Sequence, residues 1–298
     1  MSYLSHAFMN VRKIHRILPA QKVNMGGQIL DQPLPFEGLD QIDPFLLIHH
    51  WKDELPGGDH PRDLGVGPHP HRGFSPVTII IEGEIEHRDS RGNRSIVGAG
   101  GVQWMNAGMG IIHSERPSAK LAREGGPMEL IQIWINTPAA LKMRQPSYYP
   151  LSKQEIPVFT SDNGLASVQV ISGELHGIRS PFIATPPVLM LRGTFKEGAH
   201  LDIPIPYGFH CILYQLDGRI EINGELTTHI KNMTWFENDG DTISLKAEKD
   251  SEFIVLASAP LNEPVAKQGP FVMSDQTEVM RAMRDYQMGK MGFLVEEF

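Results

Sequence analysis

Residues 77–105, VTIIIEGEIEHRDSRGNRSIVGAGGVQWM, decide the fold class. Val77 to Ile81, Glu84 to Arg88, Ile96-Val97 and Val102 to Met105 are short runs of strand-forming residues, with Glu82-Gly83 and Asp89 to Asn93 as turns between them. Runs of this length, punctuated by Gly, Asn and Asp, specify antiparallel β-structure. Working outward, the same alternation gives strands at Leu130 to Ile135 and at Val11 to Leu18. It returns at Val188 to Leu191, Cys211 to Leu216, Arg219 to Ile222 and Phe253 to Ala257, with Asp217-Gly218 and Asn223-Gly224 as hairpin turns. Laying Gly83 on Gly218 sets IIIEGEIE over YQLDGRIE, an internal match that predicts two similar β domains. A chain of 298 residues suits two domains. The expectation is an all-β protein of two similar domains, each a β-barrel or sandwich, residues 1–140 and 150–298, divided within the Pro/Ser/Tyr-rich stretch Thr137 to Ser152. Asp275 and Glu278 form a D-x-x-E start signal, with Val279, Met283 and Tyr286 at helical spacing, so one short helix is expected over 275–288, within the second domain.

Composition narrows the function classes. With 41% hydrophobic and 21% charged residues, the chain has enough apolar surface for ordinary cores. A formal charge of -8 leaves no basic footprint, so direct nucleic-acid binding is not expected. Cys211 is the single cysteine, which excludes an intramolecular disulfide and a Cys-rich zinc site and suits a reducing compartment. No apolar run reaches a membrane span and no hydrophobic signal core opens the chain. No membrane partner and a cytoplasmic location are therefore expected. Arg12, Lys13, Arg16 and Lys22 precede the first acid, Asp31, a bias shared with transit peptides, but Val11 to Leu18 reads better as a first strand.

The chemistry concentrates in Pro68-His69-Pro70-His71 and Ile112-His113-Ser114-Glu115. On a strand, side chains two apart share a face, so each segment offers a pair of metal donors to a barrel interior. H-x-H alone is weak, because such histidines are more often buried and hydrogen-bonded. The second pair, following the Gly-rich loop Asn106-Ala107-Gly108-Met109-Gly110, strengthens it. Three imidazoles and a carboxylate suit Fe(II), Mn(II), Ni(II), Cu(II) or Zn(II). In the second half, His176, His200 and His210 lack H-x-H spacing and no histidine follows His229, so structural roles and no second metal are expected. Of His49 and His50, at most one faces inward; Glu84/Glu86 and Glu296/Glu297 read as solvated surface charges.

GPHPHRGF, EGEIEHRDSRGN, QWMNAGMGIIHSE and LIQIWIN, in this order, with DPFLLIHHW upstream and GPFVMSD downstream, resemble the pirin family of cupins over nearly the whole chain. That resemblance implies two jelly-roll-like cupin β-barrels and one non-haem iron per chain, Fe(II)/Fe(III), held by His69, His71, His113 and Glu115, with other divalent transition metals as alternatives. Four protein ligands on an octahedral ion leave two positions open. The implied activity is O2-dependent cleavage of a flavonol-like small molecule, a quercetin 2,3-dioxygenase reaction, with Glu115 as candidate general base. The family also implies a regulatory reading, in which the iron state alters a surface recognised by a transcription factor or metabolic enzyme. A non-catalytic ligand-binding cupin is the third reading. One departure stands out: many pirins carry Glu after the Phe of HRGF, whereas here Phe74-Ser75-Pro76 follows, which puts the surroundings of the metal and the orientation of substrate in question.

Overall fold

The structure, a computed structural model, describes residues 10–297. Its contacts divide the chain into two compact units, and neither is a continuous half: one comprises residues 21–156 with 261–297, the other 10–20 with 157–260.

The first strand, β1 (Ile14–Pro19), belongs to the unit built mainly from the second half. The first barrel begins with β2 (Gln21–Met25), β3 (Gln28–Leu34), β4 (Phe45–Leu55), β5 (Val66–His71) and β6 (Phe74–Glu82). It continues with β7 (Glu84–Asp89), β8 (Arg94–Gly98), β9 (Val102–Asn106), β10 (Ile111–Pro117), β11 (Gly126–Asn136) and β12 (Ser147–Leu151). These strands form a seven-stranded sheet, β12-β9-β6-β11-β4-β3-β2, and a four-stranded sheet, β5-β10-β7-β8. Leu30, Trp51, Ile80 and Met128 from the first sheet meet Ile85 and Val97 from the second in one buried cluster. Each such large side chain contributes about 1.5–3 kcal/mol on burial.

Between β5 and β6, Gly73 takes φ +85, and a Cβ there would collide with the Val272 carbonyl. Only glycine lets the chain turn so tightly against that backbone. Helix α1 (Ala119–Glu124) starts where Ser118 Oγ accepts from the Leu121 amide at 3.1 Å. Six residues are too few for a helical period to show in the sequence.

The predicted terminal helix forms as α2 (Gln276–Gln287), with the Asp275 carboxylate accepting from the Glu278 amide at 2.8 Å. It packs in the first unit rather than in the second domain, because Val279 and Ala282 bury against Ile112, Phe271, Met273 and Met291. Buried Lys142 ties this segment down, donating to the carbonyls of Val272 at 3.1 Å and Gly73 at 2.7 Å and to Asn136 Oδ1 at 2.6 Å. The expected boundary region Thr137 to Ser152 also differs: it contains β12, which pairs with β9, so the division falls at Ile156 and Pro157.

The second barrel repeats this plan. Its seven-stranded sheet runs β1, Asn232–Phe236, His210–Asp217, Ser251–Ser258, Val188–Phe195, Ala166–Ser172, Val158–Thr160. Its four-stranded sheet runs His200–Pro204, Thr242–Ala247, Ile220–Ile222, Leu226–Thr228. Gly83 and Gly218 turn equivalent hairpins at φ +78 and +74, as the internal match predicts. β1 occupies the edge that β12 fills in the first barrel, pairing Leu18 with Met233. Among the described residues no helix is long and apolar enough to cross a membrane.

Candidate metal centre

β5 and β10 lie side by side, antiparallel, with His69 directly opposite His113 and His71 opposite Ile111. Strand alternation then turns His69, His71 and His113 to one interior. Their ring centroids are 4.3 Å (His69–His113), 4.7 Å (His69–His71) and 4.9 Å (His71–His113) apart. One ring nitrogen from each lies within 4.8 Å of the others, the one such cluster of candidate metal donors among the described residues.

The residues fit a cation. Burial, then the neighbouring His69, hold His71 well below the usual imidazole pKa; burial, His69 and His71 do the same to His113. Both rings are therefore neutral near pH 7, with lone pairs available for coordination. His113 Nε2 and at least one ring nitrogen of His71 are buried without a hydrogen-bond partner. Buried polar atoms are almost always paired, and leaving one unpaired costs about 1–3 kcal/mol. The His69 Nδ1–H donates to the Gly67 carbonyl at 2.8 Å, which leaves the Nε2 lone pair for a metal. Phe74 and Trp134 wall the His71 ring at centroid distances of 5.0 and 5.3 Å.

Glu115 stands on the same strand as His113 but outside the three-histidine cluster. Its carboxylate accepts from Thr78 Oγ1 at 2.9 Å, Gln132 Nε2 at 2.8 Å and Gln103 Nε2. These three donors escaped the sequence reading. Their signal was there: each is a polar residue flanked by apolar neighbours within a strand, VTIII, LIQIW and VQWM.

A cavity of about 760 Å³ opens beside Glu115 and Gln132, walled by Leu30, Trp51, Ile85 and Leu130. His49 lines it, and its Nε2–H donates to Gln32 Oε1 at 2.9 Å. His50 takes the opposite face of β4 and bonds Glu129 at 2.8 Å, so one of the two histidines faces inward, as alternation requires. The His50 and Lys52 bonds pull Glu129 down to about 2 against the cost of its burial.

Burial pushes His49 down to about 4, which gives a pH prediction. Below pH 6.5 the unfolded chain binds a proton that folded His49 refuses, so stability falls as pH drops from about 6.5 to about 4. Between pH 7.5 and 5, wild type should lose about 2 kcal/mol more than His49→Gln in urea unfolding. Equal losses in the two proteins would refute this role.

Other expectations need correction. Ser75 lies on the opposite face of β6 from Thr78 and donates to Asn106 Oδ1 at 2.8 Å, so the Ser75-Pro76 departure leaves the donor set around Glu115 untouched. Glu86 and Glu296 are not solvated charges. Glu86 is buried and bound by Arg88 at 3.1 Å and Arg94 at 2.6 Å, while Glu296 accepts from Arg116 Nε and Nη2 at 2.7 and 2.8 Å. In the second barrel, the strands equivalent to β5 and β10 place Leu201, Ile203, Ile243 and Leu245 in the core, four side chains that carry no metal-donor atom. His200 instead bonds Ser244 Oγ at 2.9 Å on an exposed surface.

Comparison with known proteins agrees with this architecture. Residues 28–135 match the Pirin family and residues 190–292 match the Pirin C-terminal cupin domain. A pirin-like protein of Solanum lycopersicum is 33% identical over 294 residues, covering 97% of this chain and 96% of its own. The crystal structure of a quercetin 2,3-dioxygenase from Acinetobacter baumannii superposes with TM-score 0.90 at 31% identity, covering 96% of this chain and all of that one. The bacterial pirin YhhW of Escherichia coli, solved in complex with nickel(II), shares the fold at TM-score 0.64 and 22% identity, over 84% of this chain and 98% of its own. Two barrels of one plan, a histidine cluster in the first, and likeness along nearly the whole length make this chain a member of the pirin family.

Proposed function

We propose that the protein is an iron-dependent dioxygenase that cleaves a flavonol of the quercetin type with O2. The observation that carries this reading is the cluster of His69, His71 and His113, with unpaired buried nitrogens on His71 and His113, on the strand pair that also carries Glu115, which lines a cavity with apolar walls. The three histidines and Glu115 would hold the iron, which when bound supplies open positions for O2 and a substrate oxygen.

The chain's own residues have separable tasks. Leu30, Trp51 and Leu130 present an apolar wall suited to a flat aromatic ring. Glu115 accepts the proton of the substrate hydroxyl, while Thr78, Gln103 and Gln132 fix the direction of its carboxylate. The cavity beside Glu115 would bring the reacting groups together, a proximity effect. Iron-loaded protein should consume O2 with quercetin at a rate above free iron and above metal-free protein, and a ring-cleaved product should accumulate. No O2 uptake above the free-metal control across a flavonol panel would overturn the assignment.

A further inference from the structure

Beside His113 sits another buried histidine, His87 on β7, that the sequence motifs did not single out. Its Nε2 lies 3.1 Å from Asp89 Oδ2, and its Nδ1 lies 3.5 Å from His113 Nδ1. The Tyr148 ring stacks on it at 3.8 Å with an interplanar angle of 5°. Asp89 is itself anchored: Oδ1 accepts from the amides of Arg91 at 2.9 Å and Asn93 at 3.0 Å, and Oδ2 from Asn93 Nδ2 at 2.8 Å.

Hydrogen positions along this line follow from what each atom offers. A carboxylate only accepts, so when the His87 ring carries a single proton, that proton resides on Nε2. His87 Nδ1 is then an acceptor, and the proton between the two rings belongs to His113 Nδ1. That leaves a bare lone pair on His113 Nε2, the buried atom without a hydrogen-bond partner.

We propose that Asp89 and His87 are positioning residues that lock His113 as its Nδ1–H tautomer and aim Nε2 at the metal. The relay would set donor orientation at the centre without touching substrate, a role that outer groups commonly play for metal-bound histidines. Its metal-directed half rests on the proposed metal site; the tautomer does not.

Two arms test it. In metal-free protein with 15N-labelled histidine, long-range 1H–15N NMR should find His113 protonated at Nδ1 in wild type. In His87→Leu the Nδ1–H form should give way to Nε2–H or a mixture. His87→Gln should retain Nδ1–H, because the amide oxygen can accept from His113 while its NH2 donates to Asp89. In the second arm, Co(II) titration followed by its visible absorption should show about 10–100-fold weaker binding for His87→Leu, with most of the loss recovered in His87→Gln. An Nε2–H tautomer in wild type, or a His87→Leu protein that keeps the wild-type tautomer and Co(II) affinity, overturns the relay. Wild type that binds no Co(II) while showing the expected tautomers instead overturns the metal site and the metal-directed half with it.

Discussion

His71→Ala or His113→Ala should drop tightly bound iron from about one per chain to below about a tenth, measured by elemental analysis after dialysis. The expectation is steep because the cluster contains three imidazoles, and each substitution removes a donor that is buried in the barrel interior. His200→Ala is the matched control, since His200 is exposed and bonded to Ser244 in the other barrel. Stripping the metal from wild type should leave the β-sheet circular dichroism intact. Leu30, Trp51, Ile80 and Ile85 pack the first barrel without any help from a cation, unlike a small zinc module that folds only on its metal. Two equivalents of iron, one surviving both substitutions, would place a second site elsewhere; collapse of the circular dichroism signal on chelation would make the ion structural.

Turnover with quercetin should fall by about 100- to 10,000-fold in Glu115→Gln, the range associated with losing a positioned base. Glutamine keeps one oxygen that can accept from Thr78, Gln103 or Gln132, so the side chain retains part of its anchoring. It cannot take up the substrate proton. Metal content must be measured on the same sample, because a lost ligand and a lost base both lower the rate. Full metal with a collapsed rate assigns the base; full metal with full turnover removes Glu115 from that role; lost metal assigns it to coordination.

Local chemistry in this chain was legible in the sequence. Strand runs separated by Gly and Asp gave β6 to β9, and Asp275 with Glu278 gave α2 within one residue at each end. Period two placed His69 with His71 and separated His49 from His50, because strand alternation is a property of neighbouring residues. What escaped depends on partners distant in sequence. Glu296 resembles a surface acid until Arg116, 180 positions away, encloses it. β1 reads as the opening strand of a first domain, and only its pairing with Asn232–Phe236 assigns it to the other barrel. His87 was hidden differently: H-x-D in EHRDS carries no recognisable spacing, and its meaning comes from His113 on the adjoining strand.

The shared edge position of β1 and β12 also sets an order of events during synthesis. β12 follows β9 by some forty residues, so the two main sheets of the first barrel have all their strands once the ribosome has passed Ile156. β1 is made before either barrel, yet its partner arrives only at Asn232–Phe236. At roughly 5–20 residues per second, the strand waits about 10–40 s with Ile14, Ile17 and Leu18 unpaired. Throughout that interval it offers an open ladder edge to any other nascent chain, or to a holding chaperone. Moving residues 10–20 to follow residue 260 would let the second barrel gather its strands in one continuous stretch of translation and would remove the wait.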